Sequence, residues 1–167
     1  FTHIIGHDAI GVFVHKSNPI TNLSMEQLKG IFSGEIKNWK EVGGNDAPIT
    51  PNTEILGEKR ATTEVFQKIV LGKDPYGTGF KEIDFPVDQI NHLAGDKTGI
   101  CGVSIGLLSA ADKATQSKVK FISVDGVKPD DESLKSGDYP IARPLLLVTK
   151  GLPKSNVKTF INYMMKD

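Results

Sequence analysis

Short apolar runs alternate along this chain with segments that carry helix start and stop signals, and that alternation limits the fold more than any other feature of the sequence. Ala9-Ile-Gly-Val-Phe-Val-His15 is rich in β-branched and aromatic residues and reads as a buried strand. Ser24-Met-Glu-Gln27 has capping-box spacing, and the apolar stripe Leu28, Ile31, Phe32 that follows stops at Ser33-Gly34. Pro48 to Asn52 reads as a short strand that its two prolines push to an edge or an end of a sheet. Val65, Phe66, Ile69 and Val70 share one helical face, with Gly72 as the stop. A further helix is predicted over Val87 to Ala94, a buried strand over Gly99 to Val103, a short helix over Leu107 to Lys113, and a strand over Lys118 to Val124 closed by an Asp125-Gly126 turn. Asp130 to Asp138 reads as a solvated polar loop, and Ala142 to Thr149 as a strand whose Pro144 puts its first part at an edge or a crossing. The last helix starts at Ser155, with Val157, Phe160, Ile161 and Met164 at helical spacing. The sum is an α/β layered domain, with no internal repeat and no shift of composition to mark a boundary.

A chain of 167 residues is enough for one domain with a sizeable core. Twenty basic residues balance twenty acidic ones, so no overall field draws the chain to nucleic acid or to an anionic membrane, and an ion site must be built locally. The scattered basic residues and the few aromatics, all in apolar positions, give no stacking platform for single strands. A single cysteine, Cys101, excludes an internal disulfide framework and a cysteine-based metal site. No apolar run reaches the roughly 20 residues of a membrane span. Phe1-Thr-His-Ile-Ile5 has neither the basic nor the apolar region of a signal peptide.

Gly102-Val-Ser-Ile-Gly106 matches the G-x-S-x-G nucleophile elbow and falls between a predicted strand and a predicted helix. The hydrolase triad needs a histidine after the serine, yet His3, His7, His15 and His92 all precede Ser104. Tight packing at a strand end is the plainer use of these glycines, and no enzyme activity is expected. Cys101 lies within an apolar strand, where a thiol packs as a small hydrophobe. The histidines lack metal-ligand spacing, and the glycines form neither a dinucleotide fingerprint nor a phosphate loop of the Walker type, so neither a metal nor another cofactor is expected.

The stretch Leu56-Gly-Glu-Lys-Arg-Ala-Thr-Thr-Glu-Val-Phe66 is a cationic turn leading into a helix. Lys59 and Arg60 supply charge, Thr62 and Thr63 supply hydroxyls, and the N–H groups from Ala61 on would point out of the helix start, which suits a small anion. Alternatively, Thr62 or Thr63 simply caps the helix, with Glu64 favourable in its first turn. The residues alone leave both open.

Three segments together carry a resemblance: Ala9 to Pro19, Leu23-Ser-Met-Glu-Gln-Leu-Lys-Gly-Ile-Phe-Ser-Gly34, and Asn38-Trp-Lys-Glu-Val-Gly-Gly44. Gly99 to Ser104, Val124 to Pro129 and Tyr139-Pro-Ile-Ala-Arg-Pro-Leu145 follow in the same order. This series resembles the phosphate-binding receptors of ABC phosphate importers, within the type II periplasmic binding protein superfamily. The resemblance implies a type II periplasmic-binding-protein-like lobe, a mixed sheet flanked by helices, with crossover strands near both ends at about 9–15 and 142–149 of a single domain over 1–167. It implies an exported protein, periplasmic or extracellular, whose signal peptide is not in this chain. It also implies reversible binding of phosphate or another small oxyanion and delivery to an ABC transporter membrane complex. The binding residues it points to are Arg60, Ala61, Thr62 and Thr63, because the family's Ser-Gly-Thr-Arg falls on these positions, with only Thr62 identical. The family's upstream arginine falls on Leu56, and its opening segment would precede Phe1. These departures leave a second expectation: a non-transport interaction or sensor domain that forms a homodimer or completes its fold with a partner.

Overall fold

The computed structural model describes residues 1–165. The chain opens with β1 (Thr2–His15), continues through the two-residue β2 (Asn22–Leu23), and enters α1 (Met25–Ser33). The predicted signals set the bounds of α1: the Ser24 hydroxyl accepts from the Gln27 N–H, the Gln27 side chain accepts from the Ser24 N–H, and Gly34 takes the left-handed conformation at φ +83°. Next come β3 (Thr50–Thr53), α2 (Ala61–Phe66) continued by a π turn over Gln67–Leu71, β4 (Lys81–Glu82), α3 (Pro86–Leu93) and β5 (Gly99–Ser104). The second half holds α4 (Lys113–Lys118), β6 (Val119–Val124), α5 (Asp131–Ser136), β7 (Ala142–Val148) and α6 (Ser155–Met164).

The strands form one mixed sheet in the order β2-β6-β1-β5-β3-β4, with β7 paired to β1. β1 organises it, because its second half lies antiparallel between β5 and β6 while its first half pairs antiparallel with β7 from Thr2↔Val148 to Ala9↔Ala142. Helices cover both faces of the central part. Val12, Val14 and Ile100 pack with Leu28, Ile31, Phe32 and Phe66 on one side, and Phe13, Cys101 and Val103 pack with Ile90 and Leu93 on the other. A strand buried on both faces needs an unbroken apolar sequence, which is why Ala9 to Val14 shows no alternation. Each large apolar side chain fully buried there contributes about 1.5–3 kcal/mol. Trp39 seals the core edge at 2% exposure, its Nε1–H donating to the Thr98 carbonyl at 2.9 Å.

Several expectations are corrected. The first strand runs seven residues further towards the N-terminus than Ala9, because β7 gives those residues a ladder. β3 is not an edge strand: it lies parallel between β5 and β4. Pro51 is tolerated because the Thr50 N–H reaches the Thr98 carbonyl towards β5, so the missing Pro51 donor falls on the other flank, where β4 pairs only from Asn52 on. The helix expected over Leu107 to Lys113 is a 3-10 segment at Ile105–Ala110, followed by α4, because the Asp112 carboxylate accepts from the Thr115 N–H and starts a new helix there. The polar loop over Asp130 to Asp138 contains α5, begun by a capping box between Asp130 and Ser133 and ended by Gly137 at φ +79°. α6 forms as predicted, but of its stripe only Ile161 is buried, while Val157 and Phe160 are about half exposed.

Candidate functional site

β3 leads into the cationic turn. After Thr53 the chain passes a 3-10 turn at Leu56–Glu58, then Lys59 in the left-handed region at φ +50°, then extended Arg60 as the residue before α2. The structure sets aside one of the two alternatives for the helix start, the threonine cap. No side chain caps α2, whereas Ser24, Asn38, Asp112 and Asp130 cap their own helical segments. Neither threonine is placed to do so. Thr63 Oγ1 donates to the buried Glu54 carboxylate at 2.7 Å, and Thr62 Oγ1 lies 3.4 Å from Arg143 Nη1. The N–H groups of the first α2 turn therefore have no side-chain acceptor at the cap, with a hydroxyl and a guanidinium beside them.

Arg60 is turned elsewhere. Its Nε donates to Glu58 Oε2 at 2.8 Å, and its terminal nitrogens reach Glu58 and both the carboxylate and the carbonyl of Asp84, with Glu54 at 3.8 Å. Three carboxylates thus surround the guanidinium, which leaves little of its charge for an outside anion.

A cluster not foreseen from the sequence takes its place. Arg143 on β7 donates from Nε and Nη2 to Asp8 Oδ2 on β1, at 3.0 and 2.8 Å. The other carboxylate oxygen, Asp8 Oδ1, accepts from Ser104 Oγ at the end of β5, at 2.7 Å. The two charges stand directly opposite each other in the β1–β7 ladder, so pairing of the strands itself brings them together. A carboxylate that accepts from both partners fixes the guanidinium and leaves Nη1 pointing at Thr62. The sequence did hold a signal: Asp8 immediately precedes one of the two runs expected to form crossover strands and Arg143 is the charge within the other, but only the register shows that they meet.

Ser104 has no nucleophile geometry. Its hydroxyl donates to Asp8, and among the described residues no histidine is hydrogen-bonded to it. Gly102 has a packing role, since a Cβ there would stand 2.5 Å from the Phe66 ring. Cys101 is fully enclosed, and burial pushes its thiol pKa well up, away from reactivity. Among the described residues no group of His, Cys, Asp and Glu could hold a metal ion.

Comparison with known proteins follows the same line. The phosphate-binding protein PstS of Bacillus subtilis is 32% identical over 166 residues, 99% of this chain and 52% of that protein. PstS of Borreliella burgdorferi is 30% identical over 168 residues, 96% of this chain and 59% of that protein. The chain thus spans about half the length of the curated relatives it matches. Among solved structures, an ABC-type phosphate transport receptor from Vibrio cholerae superposes with a TM-score of 0.82 at 26% identity, over 100% of this chain and 67% of that one. A phosphate ABC transporter substrate-binding protein from Clostridium perfringens, solved with bound phosphate, gives 0.80 at 29% identity, over 100% and 66%. The family model described as PBP superfamily domain matches residues 1–167, leaving no part of the sequence outside it, and the chain accordingly belongs to that family.

Proposed function

We propose that this chain binds phosphate or another small oxyanion reversibly, without catalysis, as part of an exported receptor that serves an ABC transporter. The observation that carries this reading is the uncapped start of α2, where free N–H groups, the Thr62 hydroxyl and the Arg143 guanidinium converge. The ligand is held by the N–H groups of Ala61, Thr62 and Thr63, by Thr62 Oγ1 and by Arg143 Nη1. Arg60 joins them only by leaving Glu58 and Asp84. Thr63 acts through Glu54, fixing the first turn of α2 rather than offering its hydroxyl.

Of the segments expected as crossover strands of a two-lobed receptor, 142–149 acts as one together with the first half of β1, while 9–15 lies mostly within the main sheet between β5 and β6, and residues 1–167 behave as a single unit of the receptor. In support, the first half of β1 and β7 form a two-stranded ribbon beyond the main sheet, with Ile4, Leu146 and Val148 exposed. In a receptor of full family length, the portion that this chain does not match lies against that ribbon. No helix among the described residues is long and apolar enough to cross a membrane.

Isothermal titration with phosphate, sulfate and acetate tests this. Phosphate is expected to bind saturably, and Arg143→Ala and Thr62→Ala each to weaken it about tenfold or more, the size expected for a lost hydrogen bond to a charged ligand at about 1.5–3 kcal/mol. Arg60→Ala is expected to change the affinity much less. Absence of heat with all three anions, in a folded sample, refutes the proposal.

A further inference from the structure

At the start of β3, between residues of α1 and α3 and at the opposite end of the strand from the turn into α2, lies a cleft of about 420 Å³ that the oxyanion site does not use. Its floor is apolar: Ile31 is fully buried, Ile49 nearly so, and Phe80 stands as a wall with its ring held edge-on by Phe32 at 6.2 Å. Its rim is cationic. Lys37 and Lys81 both line the cleft, both are exposed, and among the described residues neither has a carboxylate partner.

The cleft also holds one carboxylate, Asp96, whose oxygens are turned to hydroxyls and an N–H of its own neighbours, so the two lysines outnumber it. Asp96 Oδ1 accepts from the N–H and hydroxyl of Thr98 at 2.9 and 2.7 Å, and Oδ2 accepts from the Thr50 hydroxyl at 2.5 Å. His92 lies between the two signs, its Nδ1 3.4 Å from Lys81 Nζ and its Nε2 3.9 Å from Asp96 Oδ2. An apolar floor beneath two unpaired ammonium groups is complementary to one class of occupant, a carboxylate with a compact apolar body. The volume falls within the range of small-molecule sites, about 300–1,000 Å³. Inorganic phosphate matches the rim and not the floor, since a doubly charged, strongly hydrated ion gains nothing from isoleucine and phenylalanine.

We infer that this cleft is a second ligand site, for a small monocarboxylate with an aliphatic or aromatic body, independent of the oxyanion site. The test is an NMR titration of the whole chain with 4-phenylbutyrate, its uncharged amide 4-phenylbutyramide, and inorganic phosphate. The carboxylate is expected to shift signals around Ile49, Phe80 and Lys81 saturably, with a Kd on the order of 1 mM or tighter. The amide is expected to bind at least tenfold more weakly, and phosphate to leave these signals unmoved. Lys37→Glu with Lys81→Glu should weaken the carboxylate at least tenfold while the thermal midpoint holds, because both side chains are exposed and unpaired. No saturable shift, equal binding of the amide, displacement by phosphate, or indifference to the double substitution each overturns the inference. None of these outcomes depends on whether the α2 start binds phosphate.

Discussion

Asp8 and Arg143 show how a residue's role follows from its neighbours rather than from its type. Arg60 and Arg143 carry the same guanidinium, yet three carboxylates surround the first, while the second is held by one and keeps Nη1 directed at Thr62. Asp96 makes the same point for a carboxylate. Burial works against its charged form, but hydrogen bonds from Thr50 and Thr98 outweigh that cost and hold its pKa below the ordinary value. A carboxyl with a depressed folded-state pKa adds stability that is fully present above its unfolded pKa and lost as pH falls through the folded one. Urea denaturation of the wild type and Asp96→Asn should therefore differ by a constant amount near neutrality, and the gap should close below about pH 4. A gap that instead grows on acidification refutes the assignment.

At the level of elements, caps and stop glycines were legible and pairing partners were not. Ser24, Gln27 and Gly34 bound α1 as their spacing predicts, because these signals act within one turn of backbone. The same capping logic at Asp130 and Asp112 was hidden by the polar company these residues keep, so α5 read as a loop and α4 was displaced. Gly102 belongs to this scale too, since β5 packs on α2 only because the Phe66 ring lies where a side chain would otherwise project. Gly102→Ala is expected to cost about 1–3 kcal/mol from overpacking. A thermal midpoint equal to wild type would show that the ring moves aside freely.

For the molecule as a whole, the unusual feature is where apolar surface remains. Ile4, Leu146, Val148, Val157 and Phe160 lie on the β1–β7 ribbon and α6, whereas the core around β1 and β5 is closed on both faces. Ile4 pairs with Leu146 and Val148 shares a cleft with Val157, and exposed apolar side chains brought together in this way mark a place that another surface covers. The folded chain should accordingly enhance the fluorescence of a hydrophobic dye such as anilinonaphthalene sulfonate. Val157→Ser with Phe160→Ser should reduce that signal with little change in the thermal midpoint, since neither side chain is in the core. An undiminished signal would place the dye elsewhere.

Sequence alone determined the α/β class, the burial of the first and fifth strands, and the bounds of the first helix, because hydrophobic period and end signals are local properties of the chain. It also drew attention to the turn before α2. Only the tertiary structure decided what that turn offers: Arg60 withdrawn, α2 without a side-chain cap, and Arg143 delivered by a strand 81 positions from Thr62. Such contacts are fixed by strand register across the sheet, and register is settled by the packing of the whole domain.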